Sequence, residues 1–99
     1  MTRTIPWFFV VPLLLAGTAA RAQDADAVQL AGACQGCHGV GGQGGNGIPA
    51  IARQRSRAEL IAMMEAFRTN QNPSTVMGRI ARGYTDAEIT ALAAHYARP

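Results

Sequence analysis

The sequence has no lysine, and its nine basic residues are all arginines. Without the lysine of a G-K-[ST] motif, the glycine-rich stretch 39–47 does not have the pattern of a phosphate-binding loop. Two of the nine, Arg3 and Arg21, lie in an N-terminal leader, which leaves seven arginines against six carboxylates in the rest of the chain. This near balance excludes a strongly basic surface, and nothing in the sequence indicates nucleic-acid binding.

The sequence also lacks an apolar run long enough to span a membrane. The run over residues 5–17 contains two prolines and is shorter than the ~20 residues that a membrane-spanning helix requires. An arginine precedes it and Ala20-Arg21-Ala22 follows it, which is the pattern of a secretory signal peptide. We therefore predict a signal peptide at 1–22, a single domain at 23–99 and a periplasmic protein without stable membrane insertion. An uncleaved membrane anchor is the alternative.

Bulky side chains are scarce after the leader. The remaining 77 residues contain only three aromatic residues, Phe67, Tyr84 and Tyr96, and much of their apolar content is alanine. A chain of this length can fold alone, but its core is thin. We expect something other than side chains to supply part of the core volume.

The hydrophobic pattern predicts an all-α domain. Apolar residues recur at helical spacing in three segments, which begin near Ala27, Ser56 and Thr85. Ser56 and Thr85 are each followed three residues later by a glutamate, so each predicts a capping box at a helix start. No segment alternates with the period of a strand. The segment 74–83 is expected to be irregular and turn-like.

One pentapeptide carries a specific chemical signal. Cys34, Cys37 and His38 form the C-x-x-C-H pattern by which c-type haem is attached. In this pattern the two thiols add to the porphyrin vinyl groups and the histidine binds the iron, so we predict one covalent haem c. A thioredoxin-like redox pair, a structural disulfide and part of a zinc site with His95 are the alternatives.

The second axial ligand of the iron has four candidates, namely Met63, Met64, Met77 and His95. At most one of the adjacent Met63 and Met64 is expected to face a haem, and core packing explains both. His95 lies away from the apolar stripe of its helix and is expected to be solvated. Met77 follows an irregular stretch that offers its thioether no helix face, so it is the predicted ligand. The alternative is that Met77 packs under the loop.

These residues together resemble a class I c-type cytochrome. The resemblance implies a small helical fold in which the N- and C-terminal helices cross around one covalently attached haem. It also implies thioether bonds from Cys34 and Cys37 and axial ligation of the iron by His38 and Met77. By the same resemblance, the carbonyl of Pro49 accepts a hydrogen bond from the His38 ring.

A narrower similarity involves two stretches, residues 37–39 leading through the glycine-rich loop to 48–52, and residues 74–85. Both are similar to the cytochrome subunit of flavocytochrome c sulfide dehydrogenase, in which an FAD-containing subunit oxidises sulfide and passes electrons to haem. Some members of that family have two C-x-x-C-H motifs, and this sequence has one. Arg79 and Arg82 flank the predicted methionine ligand, where we expect contacts with haem propionates or with an acidic partner.

The predicted function is electron transfer, with no catalysis by the chain itself. The resemblance implies the haem subunit of a flavocytochrome c with an FAD-containing flavoprotein subunit as partner. One alternative is a free, diffusible periplasmic cytochrome that serves other periplasmic electron carriers. A second alternative, from a different class, is a haem enzyme or sensor with an open sixth site.

Overall fold

The computed structural model describes residues 26–99. The predicted signal peptide at 1–22 lies outside the described residues, and so do residues 23–25. The described part of the chain contains four helices, which are α1 (Ala27–His38), α2 (Arg57–Arg68), α3 (Met77–Ala81) and α4 (Asp86–Tyr96).

The residues that flank helix α1 determine where it begins and ends. The side chain of Asp26 accepts hydrogen bonds from the backbone N–H groups of Val28 and Gln29, which have no partner within the helix. At the other end Gly39 has a φ of +92°, a conformation that glycine adopts without a steric penalty. As a result, the helix ends on His38, and the whole C-x-x-C-H motif lies in its last turns.

Both predicted capping boxes are confirmed. The Ser56 side chain accepts from the N–H of Glu59, and the Glu59 carboxylate accepts from the N–H of Ser56 at 2.7 Å. Thr85 and Glu88 make the same reciprocal pair at the start of α4, with the carboxylate contact at 2.9 Å. The two boxes set the first residues of α2 and α4.

The prediction of an irregular segment at 74–83 is wrong in part, because Met77–Ala81 forms helix α3. The side chain of Ser74 accepts from the Gly78 N–H at 2.8 Å, close to the start of this helix. Five residues are too few to show helical periodicity in a sequence window. Met77 is the first residue of this short helix, so its side chain does belong to a helix face.

The helices pack without any sheet, as predicted. Helix α1 packs on α4, and α2 packs on both α3 and α4. Within residues 26–99 there is no β-strand, only a single bridge between Gly45 and Ile48 in the glycine-rich loop. No helix in this described range is long and apolar enough to cross a bilayer. The all-α fold class is thus confirmed, with the N- and C-terminal helices in contact.

The core of the described chain is small. Its main cluster contains the buried residues Ala31, Leu60, Leu92, Ala93 and Tyr96. Among residues 26–99 no large side chain is fully buried. Two of the five cluster members are alanines, which bury little area and so contribute little hydrophobic stabilisation.

One side chain joins the ends of the segment that carries α3. Arg68, the last residue of α2, contacts the carboxylates of Glu65 and of Asp86, the first residue of α4. Its guanidinium also donates to the carbonyl oxygen of Tyr84 at 3.4 Å. Residues 69–85 are therefore held at both ends by Arg68, which we call the Arg68 clamp.

We expect Arg68→Gln to loosen residues 69–85 without unfolding the domain. Because the ion pairs are partly exposed, the effect is modest, an increase of about twofold to fivefold in backbone amide exchange there. Hydrogen exchange measured residue by residue checks this. The control is Arg79→Gln, which removes an exposed arginine of α3 that makes no salt bridge within residues 26–99. Equal exchange in the two variants would contradict a clamp.

Candidate functional site

Five of the seven predicted site residues line one cavity between the helices. The cavity has a volume of about 350 Å³ and is lined by Cys34, Cys37, His38, Pro49 and Met77, among others. Apolar side chains of α2 and α4 form much of the remaining lining, including Leu60, Phe67, Leu92, Ala93 and Tyr96. The small core cluster thus borders an apolar space that side chains leave open.

The last turns of α1 place both cysteines on the cavity. Cys34 is half-buried and Cys37 is exposed, and the two do not form a disulfide with each other. Burial raises the pKa of the Cys34 thiol above its usual value, and the neighbouring Tyr96 hydroxyl offsets part of this rise. Because the residues are three apart on a helix, their side chains lie on adjacent turns of one face. Two sulfurs are therefore presented to the same edge of the cavity.

The ring of His38 is fixed by a backbone contact. His38 is only 9% exposed, and its Nδ1 lies 2.7 Å from the carbonyl oxygen of Pro49. Because a carbonyl only accepts, Nδ1 carries the proton and Nε2 retains its lone pair. The ring therefore has a set tautomer and a free nitrogen with which it can bind a metal.

The glycine-rich loop brings Pro49 to His38. The carbonyl of Gly42 accepts from the backbone N–H groups of Ile51 and Ala52 at 2.8 and 3.0 Å. The Gly44 N–H donates to the carbonyl of His38 at 2.7 Å. The loop therefore folds back on the end of α1, and the contact between Pro49 and His38 closes it.

Three methionines line the cavity, and all three are half-buried. Met77, the predicted ligand, is one of them. Met63 and Met64 are the other two, so both of these adjacent residues line the cavity. Adjacent helix positions point about 100° apart, but two flexible side chains can still border one broad opening.

The other predicted residues lie away from the cavity. Arg79 and Arg82 are exposed and do not line it. His95 is also exposed, as expected, and packs edge-on against the Tyr96 ring with centroids 4.8 Å apart. The structure therefore does not bring His95 or the two arginines into contact with the space that the cysteines and His38 border.

Two features of the site were not predicted from the sequence. The Tyr96 hydroxyl is buried beside Cys34 and makes no hydrogen bond of normal geometry in the described part of the chain. Its position in the apolar stripe of α4 predicted only packing. The Arg68 clamp was also missed, because Arg68 and Asp86 are 18 positions apart and no sequence pattern links them.

The donor set fits a haem c better than the alternatives. No group of three or more His, Cys, Asp and Glu side chains within residues 26–99 is placed to hold a metal ion, so a four-ligand zinc site has no support there. A thioredoxin-like pair lacks its β-α-β setting in this range. Two thiols, one imidazole nitrogen and thioethers around an apolar space are the groups that a covalently bound iron porphyrin requires.

Comparison with known proteins agrees with this geometry. A family model described as Cytochrome c matches residues 22–96, which is most of the chain. No curated protein matches the sequence. The family match covers the C-x-x-C-H motif, the glycine-rich loop and all four helices. The chain belongs to the cytochrome c family, which implies covalently bound haem c.

Proposed function

We propose that this protein is a monohaem electron carrier in which Cys34 and Cys37 hold the haem by thioether bonds. His38 and Met77 would bind the iron of that haem through an imidazole nitrogen and a thioether sulfur. The observation that carries it is the convergence of these four side chains on one apolar cavity. A pyridine haemochrome assay on exported protein tests the presence of the covalent haem.

In this proposal, the residues of the chain hold the side chains that bind the iron in the same positions while an electron enters or leaves. Haem c, when bound, supplies an iron that accepts and releases one electron. The Pro49 carbonyl holds the His38 ring in one orientation and increases its basicity. The thioether of Met77 favours a higher reduction potential than a second nitrogen ligand would give. The apolar lining keeps water from the ligands and lowers the local dielectric constant.

The proposed partner is an FAD-containing flavoprotein subunit, in a complex of the sulfide dehydrogenase type. The support is the similarity of segments 48–52 and 74–85 to the cytochrome subunit of such complexes. The surface around Met77 suits docking, because Val76 and Ile80 are 55% and 42% exposed beside two exposed arginines. In this proposal, the chain catalyses no reaction itself and transfers electrons between the flavoprotein and other periplasmic carriers.

The proposed location is the periplasm. Its support is the leader pattern at 1–22 together with the chemistry of the site. A free pair of thiols would not stay reduced in an oxidising compartment, so a motif whose two thiols are used up in thioether bonds to haem is compatible with export. Removal of the leader would leave the domain 23–99 without a hydrophobic N-terminal segment.

We expect Met77→Ala to lower the reduction potential and to change the visible spectrum of the oxidised protein. The loss of a thioether ligand shifts the potential by on the order of 100 mV. Spectroelectrochemical titration measures both effects. Met63→Ala is the control, since it removes a thioether from the same cavity. If neither the spectrum nor the potential changes in Met77→Ala, the sixth site is not filled by Met77. A haem enzyme or sensor becomes the better candidate if Met63→Ala and Met64→Ala also leave both unchanged, because these two methionines line the same cavity.

We expect the native protein to co-purify with an FAD-containing subunit. Affinity purification from the native host, followed by flavin fluorescence of the acid-released cofactor, checks this. A stoichiometric flavin supports the complex. If the protein elutes alone with no flavin even at low ionic strength, it is a free, diffusible periplasmic cytochrome.

We expect the double variant Arg79→Gln/Arg82→Gln to slow oxidation of the reduced protein by ferricyanide, because an anionic reagent loses its attraction to this surface. At low ionic strength the rate falls by about twofold to tenfold, and the difference disappears at ~1 M salt. Stopped-flow absorbance measures the rates. Arg55→Gln/Arg57→Gln removes two other exposed arginines as the control. Equal slowing in both double variants would show a net-charge effect and not a docking surface.

A further inference from the structure

Gly44 contacts both partners of the hydrogen bond that fixes the His38 ring. Its N–H donates to the His38 carbonyl at 2.7 Å, so it holds the backbone at the end of α1. The Pro49 carbonyl, 2.7 Å from His38 Nδ1, belongs to the strip of backbone that passes directly over the Gly44 Cα. Gly44 thus lies between the backbone of His38 and the Pro49 carbonyl that orients the His38 ring.

There is no space for a side chain at this position. A Cβ on Gly44 would lie 2.5 Å from Ala50 N, 2.6 Å from Ile48 O and 2.7 Å from Pro49 C. All three are backbone atoms, which cannot rotate away as a flexible side chain can. The φ of Gly44 is +73°, which also favours glycine. Any larger residue must therefore displace the backbone of residues 48–50.

We propose that Gly44 is a positioning residue that sets the strength of the hydrogen bond between His38 and Pro49, and through it the reduction potential. The inference rests on the proposed function, since it takes His38 as the iron ligand. A hydrogen bond from the second ring nitrogen to an acceptor increases the basicity of a ligating histidine. Close packing of the Pro49 backbone on Gly44 keeps this acceptor at 2.7 Å.

Displacement of residues 48–50 changes the reduction potential in a definite direction. When the Pro49 carbonyl moves away, the Nδ1–H of His38 loses part of its hydrogen bond and the imidazole becomes a weaker donor to iron. The oxidised centre, which carries more positive charge, is destabilised more than the reduced one. The reduction potential therefore rises, and the Nδ1 proton exchanges with solvent more readily.

Gly45 offers a matched control in the same loop. Its φ is +143°, also in the region that disfavours L-residues, but a Cβ there meets no atom within 4 Å. Gly45→Ala thus introduces backbone strain one residue away without a collision. Alanine also keeps the backbone N–H and carbonyl with which Gly45 bonds to Ile48. Gly47 is not suitable as a control, because it lines the cavity itself.

The experiment compares holoproteins of wild type, Gly44→Ala and Gly45→Ala. Potentiometric titration measures the reduction potential, and NMR of the reduced, ¹⁵N-labelled protein measures exchange of the His38 Nδ1 proton. We expect Gly44→Ala to raise the potential and to accelerate this exchange about tenfold, with wild-type values for Gly45→Ala. A haem-loaded Gly44→Ala with wild-type potential and exchange would overturn the proposal, as would equal changes in both variants.

Two further measurements separate the outcomes. A wild-type chain without haem would contradict the proposed function, whereas a red Gly44→Ala protein with unchanged properties contradicts only the role of Gly44. If Gly44→Ala does not accumulate with haem, Pro49→Gly is added to it, because a glycine at position 49 lets the displaced backbone relax. We expect the double variant to load haem again with a raised potential. Failure of the double variant to load haem would show that the collision with residues 48–50 is not the cause, and would overturn the proposal.

Discussion

The space between α1, α2 and α4 is larger than the side chains of this chain can fill, and the rest of the structure depends on this constraint. The described core contains two alanines among its five clustered residues, and it borders a cavity of about 350 Å³. An apolar cavity of this size forfeits packing and hydrophobic stabilisation unless a group occupies it. In a member of the cytochrome c family that group is haem c, which is then as much a part of the core as a ligand.

The chain surrounds this space with three kinds of fixed support. The end of α1 presents two thiols and an imidazole, and the glycine-rich loop folds back so that the Pro49 carbonyl orients the imidazole. On another side, the Arg68 clamp joins the ends of the segment that carries Met77. In the proposed function, side chains that are held in this way keep their positions when the charge of a bound iron changes, which is what an electron carrier requires.

The parts of this arrangement that could be predicted depend on local sequence signals. Each capping box spans four residues, and the C-x-x-C-H motif spans five, so both were visible in the sequence and the helix starts at Ser56 and Thr85 were correct. Helix α3 was missed because five residues show no periodicity. The Arg68 clamp and the packing of Gly44 on residues 48–50 depend on which segments meet in space, and neither the spacing nor the composition of a single sequence encodes that directly.

The most direct test of the central claim is whether the fold requires the covalent group. Exported wild-type protein and a Cys34→Ala/Cys37→Ala variant are compared by pyridine haemochrome and by urea unfolding followed with circular dichroism. For the wild type, the account predicts one haem per chain and a cooperative unfolding transition. For the variant, it predicts a colourless protein whose helical signal declines gradually with urea, without a cooperative transition. A colourless chain that unfolds as cooperatively as the wild type would contradict the account.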